Sequence, residues 1–445
     1  MQTLALGFAR VPFVAACRRR YGDVLTFRTL FDSGFVMVLD PAAVQQVFRA
    51  SPDVACAGAA NAGVEPLHGN RSLMVLDGDD HLRRRRLSLP AFHGRLMRAH
   101  ETVMRSATDR AIESWPVGRP FALLPSMYSL TLDVIIGAVF GVEEAGRAEQ
   151  LKRAMRAVLA PIHSGASRWL ALASGGRLGS ARAAFRFEVR HRTLDRLIDD
   201  EIARRRIVSD LERRTDVLST LLLARDEATG ESMSDEEVRD ELVTLLIAGH
   251  ETTAAALAWS FELLLRDQRV LRRLRAAEDG EYLDAVVKEV LRLRPVATGV
   301  GRLVCDRPLE VGGYMIQPGV EVSPSIDGIH LRSDLYPEPR AFRPERFLGA
   351  DPPETAAWIP FGGGTRRCLG ASFAQFEMKV VIRRVLERTE LRRVGRGRER
   401  VVRRTVSPPT PGAIGRSLRR GRRWLPRREV RVLLTTPALP AADAR

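Results

Sequence analysis

Two stretches of this chain carry side chains whose type and spacing could do chemistry. The first is Pro360-Phe-Gly-Gly-Gly-Thr-Arg-Arg-Cys-Leu-Gly370, where a lone cysteine, Cys368, follows three glycines and two arginines. An ordinary loop before a helix would account for it, since glycines and a buried free cysteine are both common. So would a cradle that presents sulfur to a metal. The residues after Cys368 (ASFAQFEMKVVIRRVLE) read as a helix, and its first N–H groups and dipole would favour a thiolate. The second stretch is Ala248-Gly-His-Glu-Thr-Thr253, inside a long helical run. Glycine costs a helix interior ~1 kcal/mol, and threonine is a poor helix former. A kinked core helix with hydroxyls bonded to the preceding turn would explain the hexamer. A helix opened at its centre to line a polar pocket would explain it too.

The elements that must position these residues can be read from pattern. In SDEEVRDELVTLLIAGHETTAAALAWSFELLLRD, Ser234 and Glu237 form a capping box, and the helix continues to about Arg266. At ~1.5 Å per residue that rod approaches ~50 Å, enough to cross the molecule. Lys288–Arg294 closes another helix at Pro295; Glu289 and Arg292 share one of its faces. They make either a surface ion pair or, with Arg346 of FRPERF, a structural network. Near Asp77, His81 and Arg85 are neighbours one helical turn apart and could face an anion; a solvated basic turn is the alternative. Asp23–Asp40 reads as a hairpin about Asp32-Ser33-Gly34, and Pro41 to about Leu293 is mostly helical. Strands return at Gly301–Cys305, Leu309–Val311 and Gly319–Val322, with a last one within Leu425–Leu434. The expected fold is mainly α with small β-sheets, built as a single domain over residues 1–445.

Composition excludes several classes. The net charge is +16, yet Arg392–Arg428 alone holds 14 Arg against one acid, Glu399. Elsewhere acids and bases nearly balance, so no nucleic-acid partner is expected. The basic stretch, residues 392–428, reads as a solvated insertion; a phosphate-rich partner or anionic membrane is the other reading. Cys17, Cys56, Cys305 and Cys368 lie far apart without a CxxC pair. Neither a disulfide framework nor a four-cysteine zinc site is expected, and the chain reads as cytoplasmic. Arg10 and Pro12 interrupt the apolar N-terminal run, which disfavours a signal peptide. No segment approaches the ~18 consecutive apolar residues of a membrane span, so no transmembrane segment is expected; weak surface contact with a membrane stays open. Rival glycine-loop readings fail on spacing: Arg367 stands where G-x-G-x-x-G needs glycine, and no Walker-type Gly-Lys-Ser/Thr occurs. None of the eight histidines lies in an HExxH pattern, and His250 is turned away from the face of Gly249, Thr252 and Thr253.

In this order and spacing, AGHETT, EVLR, FRPERF and FGGGTRRCLG resemble the cytochrome P450 family of haem-thiolate monooxygenases. The loop fits the family's F-x-x-G-x-R-x-C-x-G at Phe361, Gly364, Arg366, Cys368 and Gly370. The resemblance runs from about the Asp23 hairpin to about Leu391, and its bacterial members also resemble HLRRRR with LPAF. It implies the α-rich prism of that family, with a β-rich N-terminal part and a long central helix on the distal side. It implies haem b with Cys368 as the axial thiolate, and His81, Arg85, Arg302 and Arg366 toward the propionates. Ala248 and Gly249 would leave room for O2, Thr252 would hydrogen-bond it, and Glu251 would relay protons. Glu289, Arg292 and Arg346 would be structural. The implied reaction inserts one oxygen atom of O2 into a hydrophobic small molecule. No flavin or iron–sulfur motif is present, so the resemblance implies a ferredoxin and a ferredoxin reductase passing on NAD(P)H-derived electrons, and a monomer. A haem-thiolate sensor and a peroxide-driven oxygenase are the alternatives; the acid–threonine pair argues against both. Substrate choice is expected to lie in Val54–Met74, Leu159–Arg182 and Val296–Val300. Residues 392–428 are longer and more basic than the family's pattern.

Overall fold

The computed structural model describes residues 2–28, 34–141, 144–163, 180–277, 279–350, 352–394 and 431–434. Most of the basic stretch, the turn at Asp32-Ser33 and the middle of Leu159–Arg182 lie outside the described residues. Strands β1 (Val24–Phe27) and β2 (Phe35–Val38) pair antiparallel, as the hairpin pattern predicts. They lead to helix α1 (Pro41–Arg49), capped by the Asp40 carboxylate on the Ala43 N–H. After β3 (Ala55–Cys56) comes α2 (Gly78–Ser88), which carries His81 and Arg85. Helix α3 (Glu101–Glu113), the short β4 (Phe121–Ala122) and α4 (Leu123–Phe140) follow. Helix α5 (Ser180–Arg206) precedes α6 (Asp235–Arg266), the long central helix. Then come α7 (Glu281–Leu293), β5 (Arg302–Val304), β6 (Leu309–Val311), β7 (Tyr314–Ile316) and β8 (Glu321–Pro324). The chain closes with α8 (Ala371–Arg388), β9 (Leu391–Arg393) and β10 (Arg431–Leu434).

The largest sheet has the order β1-β2-β8-β5-β3, with β2 and β8 parallel. Residues near the start of the chain are thus laced to residues beyond 300, which brings β5 and its Arg302 beside the segment that follows β3. Helix α6 starts at the Ser234–Glu237 capping box, present in both directions. It is buried nearly all round and packs against α4, α7 and α8, as expected of a helix crossing a core. Helix α7 is likewise largely enclosed, burying Leu283, Val286, Val287, Val290 and Leu291 among others.

Two features bear on what the sequence predicts. First, helices α4 and α6 are long and apolar enough to cross a membrane by length and composition alone. The isolated polar residues that break the apolar runs, such as Asp133, leave the average hydropathy high. Both helices are mostly buried within the protein and pack on each other, as core helices do. Second, Cys56 and Cys305 form a disulfide, with their Cα atoms 6.3 Å apart and a sequence separation of 249. Strand β3 pairs antiparallel with β5 so that Cys56 faces Leu303, which sets Cys305 diagonally across from it. Pairing of two-residue strands so distant in sequence has no local signature. The bridge also removes the cysteine argument for a reducing compartment.

Candidate active site

The loop around Cys368 is shaped by protein contacts. Gly364 has φ +65°, and a Cβ there would collide with the Phe48 carbonyl oxygen of α1. A Cβ at Gly363 would strike the Phe48 ring. Gly370, by contrast, has φ −85°, and a Cβ there would meet nothing within 4 Å. Gly364 thus admits the close packing of the loop on α1. Phe361 is half-buried against the core, and its carbonyl accepts the Cys368 N–H at 3.0 Å. Helix α8 begins three residues after the cysteine, as the sequence predicts. Cys368 is exposed, yet the surrounding protein is close enough that burial pushes its thiol pKa up. Both hold for a side chain lining an inward cleft. The Gly370 N–H and the charges of Arg85 and Arg367 pull the other way without prevailing. A bound metal cation is what would tip such a thiol to thiolate.

The four basic residues singled out in the sequence converge beside this loop. His81 is buried, and its pKa is lowered to about 3 by burial and by Arg366, Arg85 and Arg302. Its Nδ1 has no hydrogen-bond partner. Burial lowers Arg302 and Arg366 each to about 10; Arg366 adds to the effect on Arg302, and Arg85 to that on Arg366. Arg85 in turn feels Cys368. Arg302 donates to the Gly301 carbonyl at 2.8 Å. Arg366 donates to the carbonyls of Leu73, at 3.1 Å, and Leu76, and to the Asp77 carboxylate. Sequence reasoning passed over Asp77 because its partner lies 289 residues away. Buried positive charge of this density calls for an anion with more than one negative oxygen.

The central helix runs without interruption through Ala248–Thr253. The Thr252 and Thr253 hydroxyls donate to the carbonyls of Ala248, at 2.7 Å, and Gly249, at 3.0 Å. Back-bonding, one of the two explanations for the hexamer, is thus observed. The other is not displaced by it. Ala248 is exposed and Thr252 and Ala255 are half-buried, in a helix otherwise enclosed by core. Spaced at i, i+4 and i+7, they form one accessible stripe. At Gly249 a Cβ would lie 2.8 Å from Ile135 Cδ1, so the glycine admits close packing of α4 on α6. His250 is buried, with Nδ1 3.3 Å from the Leu246 carbonyl, off the accessible stripe as expected. Glu251 is half-buried.

Beneath the loop, Glu289 and Arg292 are fully buried and bonded twice, at 2.6 and 2.8 Å. Arg346 joins at 3.4 Å, so the network reading prevails over a surface pair. Arg292 also donates to the carbonyls of His330 (2.7 Å) and Pro339 (2.9 Å). His330 was not singled out from sequence. Its Nδ1–H donates to the Arg292 carbonyl at 3.1 Å, and its Nε2 accepts the Ile359 N–H at 3.0 Å, two residues before Phe361. Burial and the Arg292 charge lower its pKa to about 3, which keeps the ring neutral and able to accept. The network therefore fixes the entry of the cysteine loop.

A family model described as Cytochrome P450 matches residues 9–414. The chain belongs to the cytochrome P450 family. It is similar to "Putative cytochrome P450 135B1" of Mycobacterium tuberculosis strain H37Rv, 42% identical over 388 residues, covering 85% of this chain and 81% of that protein. "Putative cytochrome P450 138" of Mycobacterium bovis is 40% identical over 389 residues, with 86% of each covered. Among solved structures, a retinoic acid-bound cyanobacterial CYP120A1 superposes with TM-score 0.77 at 24% identity, over 98% of this chain and 96% of that one. A P450DA heme domain gives TM-score 0.72 at 24% identity, over 88% and 89%. These last two establish the mainly helical P450 fold with its small sheets.

Membership implies haem with a cysteine thiolate, and the residues present fit that group. Cys368 offers sulfur in an inward cleft. The orphaned His81 Nδ1 and the arginines around it suit a pair of carboxylates.

A buried acid on the P450 central helix has a measurable consequence. Glu241 is fully buried; burial raises its pKa to about 7, against the pull of Arg84 and the Leu73 N–H. The folded protein thus holds a proton that the unfolded chain releases near 4.5. Stability from this source is full below that pH and is lost as pH rises toward 7, by about 3 kcal/mol in all. Glu241→Gln should therefore gain on the wild type at pH 8 relative to pH 5, in urea midpoints. Equal differences at both pH values would contradict it.

Proposed function

We propose that this P450 inserts one oxygen atom of O2 into a hydrophobic organic molecule, fed by a ferredoxin and its reductase. The observation that carries the reading is the gathering of His81, Arg85, Arg302 and Arg366 beside the Cys368 thiol. That set binds one ligand bearing both a metal and carboxylates. Haem held there supplies dioxygen activation and oxygen-atom transfer, with sulfur donation favouring O–O cleavage.

The chain's own residues do the rest. Cys368 Sγ holds the iron, and the basic cluster orients the propionates. The Thr252 hydroxyl, anchored on the Ala248 carbonyl, sits on the accessible stripe where it can accept and pass a proton. Glu251, half-buried on the preceding residue, would bring protons from solvent to it. Leu245, Ala248, Val296 and Val300 offer an apolar lining that orients an apolar substrate and excludes water. Arg367, beside Cys368, suits an acidic electron donor.

Titration of the purified holoenzyme with apolar compounds, read by the iron's spin-state change, should first yield a ligand. Product formed per O2 consumed is then compared between the wild type and Thr252→Ala. The variant should yield less by about 10²-fold, the scale of a lost proton donor. An unchanged yield would remove Thr252 from the mechanism.

A further inference from the structure

Residues 69–77 tie two parts of the site together. On one side they are fastened to the central helix α6. Asp240 accepts the Arg71 N–H at 3.1 Å, Glu241 accepts the Leu73 N–H at 3.3 Å, and the Ser72 and Thr244 hydroxyls bond at 2.6 Å. Arg84, buried on α2, donates to the Arg71 carbonyl at 2.6 Å and to the Glu237 carbonyl at 3.3 Å. The approach is tight: Gly69 has φ +83°, and a Cβ there would run into the Asp240 carboxylate. On the other side the same stretch supplies every side-chain hydrogen bond described for Arg366: the carbonyls of Leu73 and Leu76 and the carboxylate of Asp77. Asp77 is itself fixed by the N–H groups of Gly58 and Ala59, each at 2.8 Å.

We propose that residues 69–77 act as a strap through which Thr244, Asp240 and Glu241 on α6 position Arg366, so that the central helix sets the grip on the haem carboxylates. The proposal rests on the haem-thiolate reading above. Ser72 and Thr244 are both buried, so their bond has no water to replace it. Loss of that bond loosens the hold of α6 on Ser72 and so on its neighbour Leu73, whose N–H meets α6 and whose carbonyl meets Arg366. An anchor on α6 and an arginine two-thirds of the chain beyond the strap are thereby coupled through two adjacent residues. Thr244, Asp240 and Glu241 are positioning residues, acting on Arg366 through the strap.

The coupling is tested by a double-mutant cycle on the holoenzyme. Wild type, Thr244→Val, Arg366→Gln and the double variant are compared by the rate of haem transfer to an apo-globin acceptor and by the midpoint potential. Thr244→Val alone should speed haem loss about threefold or more and shift the potential in the same direction as Arg366→Gln. In the Arg366→Gln background it should change neither, since nothing is left to position. Thr244→Ser should restore the wild-type values. Ser72→Ala cuts the same bond from the other end, and serves should Thr244→Val not fold. Additive effects in the double variant, or wild-type values for Thr244→Val, overturn the strap while leaving the haem-thiolate reading intact. A wild type that takes up no haem overturns both.

Discussion

Arg292→Ala is expected to destabilise the protein by about 3–5 kcal/mol, the penalty for stripping one partner from a buried pair. Glu289 would be left charged in the core, with the carbonyls of His330 and Pro339 also losing a donor. The Arg292 guanidinium lies 4.8 Å from the centre of the Tyr336 ring, so ring packing is lost as well. Tyr336 in turn donates to the Ala357 carbonyl at 3.0 Å, just before the cysteine loop. That loss is a large share of the ~5–15 kcal/mol that holds a typical domain folded. Arg292→Lys keeps the charge but not the fork that meets both Glu289 oxygens, and should fall between. Urea unfolding checks this directly. A loss below about 1 kcal/mol for the alanine variant would return the pair to the status of an exposed ion pair.

Cys368→Ala is expected to abolish oxygenation by removing the sulfur proposed to hold the haem iron. Its effect should be on ligation more than on folding. Cys368 is exposed, and the loop is held by Phe48, by the Phe361 carbonyl and by the network below. The variant should therefore unfold within about 1 kcal/mol of the wild-type apoprotein, in line with a substitution outside the core. Its haem, where the basic cluster still retains it, should lose the thiolate absorption. A variant that keeps both the wild-type spectrum and turnover would dismiss Cys368 as the ligand.

The parts of the fold written in local pattern were legible. The Ser234–Glu237 box, the hairpin at Asp23–Asp40 and the helix after Cys368 depend on neighbours in sequence, and each appears as read. Cys368, His81, Arg85, Arg302 and Arg366 stand out in the sequence through the family resemblance, and the fold brings them near one another. What sequence hid was the reason for certain residues. Gly364 and Gly249 stood out as glycines, but only the structure shows that Phe48 and Ile135 require them. Asp77, His330 and Thr244 gave no signal, since each works through a partner distant in the chain. The Cys56–Cys305 bridge escaped notice for the same reason: it rests on the pairing of β3 with β5.

The central claim is that haem is held through sulfur at Cys368. Reducing the wild-type holoenzyme and adding carbon monoxide tests it most directly. A strongly red-shifted Soret band is predicted, the mark of a thiolate-ligated haem. A band at the position given by a histidine-ligated haem would contradict it.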